Sequence, residues 1–92
     1  MQRIETTELS PINGRKSFYQ KAHLVQQAGR RFLRSYNTIV AGHVGGKVCR
    51  YWNGKSGTTS AHLAAFFDVC GVSMTPAQFY ALPVSKCPAG IY

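Results

Sequence analysis

The sequence predicts an α+β fold: a three-stranded antiparallel β-meander packed on one main α-helix, plus a short C-terminal helix. Three observations predict it. Within residues 35–67, SYNTIVAGHVGGKVCRYWNGKSGTTSAHLAAFF, β-branched and aromatic runs alternate with turn pairs. Gly45-Gly46 supplies the positive φ of a two-residue hairpin, and Asn53-Gly54 ends a strand. Leu63, Phe66, Phe67 and Cys70 then fall at i, i+3, i+4 and i+7, one stripe of a helix.

Taken in order, residues 1–14 are polar, with Pro11 and the turn pair Asn13-Gly14, and read as an N-terminal arm. Residues 15–92 form a single domain. Its first strand is SFYQKAHLVQQ, residues 17–27, closed by a tight turn at Ala28-Gly29. The second runs from Arg31 to His43 and the third from Val48 to Trp52. Ser56, Gly57 and Thr58 offer N-cap chemistry for a helix over Thr59–Cys70, and Gly71 is its natural stop. Thr75-Pro76-Ala77-Gln78 is a second start, with a capping residue, a proline suited to the first helical position and a Gln that completes a capping box. Pro83 ends this short helix, and Val84 to Tyr92 reads as a tail.

Two-residue turns fix which side chains share a face. One face collects Phe18, Ala22, Leu24, Leu33, Ile39, Ala41, Val48 and Trp52, and should lie under the helix stripe, with Trp52 and Ile39 touching Leu63, Phe66 or Phe67. The other collects Tyr19, Lys21, His23, Val25, Phe32, Arg34, Tyr36, Val40, Lys47, Cys49 and Tyr51. Its interleaved rings and cations suit a stacking platform for unpaired bases. They equally suit a second core layer with snorkelling Lys and Arg stems, or a dimer interface.

Charge narrows the partners. Eleven Lys+Arg against three Asp+Glu give a formal +8 over 92 residues, which favours nucleic acid, a nucleoprotein or an acidic protein surface. The candidate contacts are Arg30, Arg31, Arg34, Lys47, Arg50 and Lys55, with Tyr19, Tyr36 and Tyr51 as stacking groups. No apolar run nears the roughly 20 residues that span a bilayer. Cys49, Cys70 and Cys87 are odd in number and widely spaced, and no signal peptide is visible, which predicts reduced thiols in a host-cell cytoplasm.

The motifs that carry chemistry are few. Gly54-Lys55-Ser56 is not a phosphate loop, because the Gly that must precede Gly54 by a four-residue gap is Cys49. Free N–H groups at Gly57, Thr58 and Thr59 beside Lys55 suit one anion, or simple capping. His23, His43, His62 and the cysteines make no CxxC or HxxxH pair, so neither metal nor cofactor is expected. Cys70 is two helical turns from His62, too far for a nucleophile–base contact. Glu5, Glu8 and Asp68 are the only acids, so paired-carboxylate catalysis is not expected either. Leu63 to Tyr80 has the outline of a helix-turn-helix, but Phe67 fills the crowded inter-helix position and the second helix carries no cation.

The segments Tyr36-Asn37-Thr38-Ile39-Val40-Ala41 and Arg50-Tyr51-Trp52-Asn53-Gly54-Lys55-Ser56-Gly57-Thr58-Thr59-Ser60-Ala61-His62 resemble a family of small uncharacterised bacteriophage and mobile-element proteins. The family pattern runs Ser-Tyr-x-Thr-x-Val, then Trp-[Asp/Asn]-Gly-x-Ser-x-Thr-Thr-x-x-His, and Ser17 to Ala22 looks like its first strand. Asn53 and Lys55 stand where the family favours Asp and a bulkier residue, and the likeness covers about residues 16 to 67. It carries no activity across. It implies a phage-like context, where proteins of this size act by binding: handling nucleic acid, or blocking a host defence complex as anti-CRISPR proteins do.

The functional expectation is therefore a non-catalytic module that binds nucleic acid or a nucleoprotein. The alternative is a protein-directed inhibitor docking on an acidic, nucleic-acid-accepting channel. A homodimer is also expected, because a three-stranded sheet leaves open edges at its first and third strands and a face that one short tail covers poorly, and the strand at 17–27 is guarded by Lys21 alone.

Overall fold

The structure, a computed structural model, describes residues 4–9 and 21–86. Seven elements follow in order: β1 (Ile4–Glu8), β2 (Ala22–Gln27), β3 (Arg30–Ser35), β4 (Thr38–Val44), β5 (Lys47–Arg50), α1 (Gly57–Cys70) and α2 (Pro76–Tyr80). The strands form one antiparallel sheet in the order β1-β2-β3-β4-β5. The α+β class, the main helix and the short helix are as the sequence predicts. The strand count is not: the sheet has five strands, not three.

Both added strands have a physical reason. The predicted strand Arg31–His43 is broken at Tyr36-Asn37 into β3 and β4, with Ser35 opposite Thr38. Tyr36 takes the left-handed conformation there, φ +56°, which a non-glycine side chain adopts at a cost of about 1–2 kcal/mol. Its N–H donates to the Lys21 carbonyl at 2.7 Å, a bond that holds the turn against the start of β2. By contrast Ala28-Gly29 and Gly45-Gly46 turn with positive φ at both positions, the geometry of the tightest hairpins.

The other added strand is β1, within the stretch read as an arm. IETTE has no alternation of apolar and polar residues, and all five are exposed. Its backbone nonetheless pairs along β2 from Ile4 opposite Gln27 to Glu8 opposite His23. Leu9 then turns into the core, its N–H bonded to the Ala22 carbonyl at 2.9 Å. This makes β2 an interior strand and moves one of the two expected edges to β1, while the other stays at β5. The edge β1 carries Glu5 and Glu8, charges that discourage pairing with another chain.

A β-bulge between Leu33 and Arg34 corrects the predicted faces. Leu33 lies opposite Ala41 but Arg34 lies opposite Ile39, so Val40 is the extra residue. Val40 joins Ala41 on the helix side, and Ile39 turns to the far side beside Val25 and Phe32. Ile39 therefore does not pack under the helix. Trp52 does pack against that core. Gly54 lies against its indole so closely that a Cβ there would collide with the ring.

α1 starts one residue after Ser56, whose Oγ accepts from the Thr59 N–H at 3.0 Å, and stops at left-handed Gly71. Its buried face presents Leu63, Phe66 and Phe67 to Leu24, Leu33, Val40 and Ala41. α2 carries the predicted capping box between Thr75 and Gln78, at 3.2 and 2.9 Å, and buries Phe79 with its ring 6.0 Å from Phe67.

Phe67 joins sheet, main helix and short helix. Phe67→Ala should cost about 3–5 kcal/mol in denaturant unfolding, a large part of the stability of a domain this size.

Candidate nucleic-acid interface

Strand alternation sorts the predicted cations. Arg30 and Arg34 share the face of β3 that holds Phe32, the face away from α1. The Arg30 guanidinium sits 5.6 Å from the Phe32 ring centroid and donates to Gln27 Oε1 at 2.8 Å. Lys47, opposite Val44 at the start of β5, is exposed on the same face. Among the acids of the five strands, Glu8 shares this face, beside His23 and Arg34, while Glu5 lies on the helix side.

The other three predicted cations go elsewhere. Arg31 lies on the helix side, opposite Gln26 and His43, with its charge near Cys70. Burial pushes the Cys70 thiol above its ordinary value, and Arg31 partly offsets the rise. Lys55 is exposed in the loop before α1, with its ammonium 5.5 Å from the Tyr80 ring centroid.

Arg50 turns inward. Its Nε donates to the Trp52 carbonyl at 2.9 Å, Nη1 to the Tyr80 and Leu82 carbonyls at 2.7 and 3.1 Å, and Nη2 to the Gly54 carbonyl at 3.3 Å. The guanidinium also lies 5.8 and 5.5 Å from the Phe79 and Tyr80 ring centroids. Its own carbonyl accepts from the Ser85 N–H at 2.6 Å, within a parallel bridge to Val84. Arg50 thus serves the fold, tying the end of β5 to the loop before α1 and to the end of α2.

The predicted stacking groups are largely taken up. Tyr51 is half-buried, with its ring over Gly42 and 6.2 Å from that of Phe32. Tyr36 is 51% exposed, but Lys21 Nζ lies 5.7 Å from its centroid and the His62 ring 6.0 Å away. Tyr19 lies outside the described residues, as do Phe18 and Cys87. Gly57 and Thr58 are exposed at the start of α1, while Thr59 is buried and bonded to the Ser56 cap.

One contact was missed by the sequence reading. Ser35 Oγ and His62 Nδ1 are 2.8 Å apart, at 3% and 0% exposure. They are the first and last residues of the two pattern segments, Ser-Tyr-x-Thr-x-Val and Thr-Thr-x-x-His, and that arrangement is the signal that could have paired them. The contact joins a hydroxyl to an imidazole, but it is enclosed between β3 and α1, so its chemistry is that of a buried latch.

Burial, and then the charge of Lys21, hold His62 below its ordinary value. The unfolded chain therefore binds the extra proton first. The stability from neutral His62 is fully present above about pH 6.5 and declines as pH falls from there towards the depressed folded value. The slope should reach at most about 1.4 kcal/mol per pH unit, and His62→Gln should flatten it. Urea unfolding from pH 7.5 to 5 measures both.

A family model described as a family of unknown function, DUF8033, matches residues 7–81, a span that includes both segments of the phage-like pattern as well as α1 and α2. No curated protein and no solved structure matches the chain. With most of its length so matched, the chain belongs to the family of unknown function DUF8033.

Proposed function

We propose that this protein is a non-catalytic binding module of bacteriophage or mobile-element type, and that it engages the phosphates of a nucleic acid or nucleoprotein in a host cytoplasm. One observation carries the reading: Arg30, Arg34 and Lys47 lie on one face of the sheet, where the strands set Glu8 as the acidic counterpart. The overall +8 gives this face a long-range attraction for polyanions. Lys21 and Lys55 are exposed beyond it and add to the field. Arg50 is left out of the binding set because its guanidinium is committed to four carbonyls, and Arg31 because it lies on the opposite side of the sheet. The phage-like sequence pattern supplies the context.

Each cation that meets a phosphate adds nearly one unit to the slope of log affinity against log salt. Binding to a mixed-sequence nucleic acid should therefore weaken with salt at a slope near −3, from about three contacts. Replacing Arg30, Arg34 and Lys47 together by Gln should remove most of that slope while leaving the unfolding midpoint within a few degrees. An affinity that does not change with salt would contradict the reading. If the protein instead keeps a protein partner through nuclease treatment and shows no affinity for nucleic acid, the alternative of an inhibitor docking on an acidic channel replaces it.

A further inference from the structure

Resting on that reading, we infer that the polyanion is a duplex held by its backbone, not a single strand held by its bases. Proteins that hold single strands line a groove with cations and set free aromatic faces between them, so that successive bases stack. The described residues present no series of such faces, only the half-open ring of Tyr36. Phe32, at the centre of the cationic face, is 0% exposed with Arg30 over its ring. Tyr51 leans on Phe32 and covers Gly42. Trp52 is packed against the helix-side core and Gly54. Tyr80 has Arg50 and Lys55 near its ring, and its hydroxyl lies 3.0 Å from Ser60 Oγ. Tyr36 projects furthest, yet Lys21 and His62 approach its ring.

The cations are also spread over an area. Arg30 and Arg34 are four residues apart on β3, about 13 Å at the rise of a strand, and Lys47 stands two strands away from Arg30, about 10 Å across the sheet. A single strand would have to turn a corner within a few nucleotides to meet all three, with no row of rings to hold the bend. A duplex presents phosphates of two strands side by side, with one charge for about every 1.7 Å of axis, and can meet all three at once. Contacts made only to phosphates position a protein without reading sequence.

The test compares a 20-base-pair duplex with a 40-nucleotide oligo-dT, which have nearly the same number of phosphates, by fluorescence anisotropy with the intact protein. The duplex should bind at least tenfold more tightly, and a second duplex of unrelated sequence should bind within threefold of the first. The combined Arg30→Gln, Arg34→Gln and Lys47→Gln variant, checked for an unchanged circular dichroism spectrum, should lose the preference. Equal or tighter binding to oligo-dT would overturn the duplex assignment and leave the phosphate-binding reading standing. Binding to neither would overturn both.

Discussion

The guanidinium of Arg50 is the interaction on which the arrangement of this domain depends. Four hydrogen bonds lead from it to the carbonyls of Trp52, Gly54, Tyr80 and Leu82. Those carbonyls belong to three pieces of chain that have no continuous secondary structure between them: the exit from β5, the loop into α1, and the end of α2. Short helices leave their last carbonyls without partners, and a cation placed there satisfies them and complements the local dipole. Arg50 can reach them because it leaves β5 on the helix side, opposite the small Ala41. The Phe79 and Tyr80 rings beside it add cation–π attraction.

That placement divides the positive charge of the chain into two kinds. On the helix side Arg50 serves the fold through carbonyls, and Arg31 lies on that same side of the pleat. Cations on the opposite side stand clear of α1, with Arg30 resting on Phe32 and Gln27 of the same face. β3 makes the division visible in a single strand, since Arg30 and Arg34 alternate with Arg31, Leu33 and Ser35. A net charge counted from composition says that a polyanion is favoured. It does not say which residues share a face; the pleat decides that.

Much of the fold was legible because its signals are local. Gly45-Gly46, the Leu63–Phe66–Phe67 stripe, the Ser56 and Thr75 caps and the Gly71 stop each act within a few residues, and each is found as read. What escaped depends on distant contacts. Tyr36 carries no glycine-like signature, so its turn follows from the bond to Lys21, just before β2. β1 gains its place through backbone pairing that leaves no mark on side-chain pattern. The bulge at Val40 moved one residue of the predicted face across the sheet. The Ser35–His62 latch spans 27 positions and was visible only as the two ends of a motif. Of the candidate site, the residue types were readable, but the sorting of Arg50 and Arg31 from Arg30, Arg34 and Lys47 required the register.

The division of cations is tested most directly by thermodynamic comparison of two conservative replacements. An ammonium keeps the charge but lacks the planar fork that serves four carbonyls at once. Arg50→Lys should lower the free energy of unfolding by about 2–3 kcal/mol, since bonds from a charged donor to part-buried carbonyls are among the stronger ones. Arg34→Lys should change it by no more than about 0.5 kcal/mol, as expected where a side chain serves solvent or a partner. Equal effects of the two, or an Arg50→Lys protein as stable as the parent, would contradict the assignment of Arg50 to the fold.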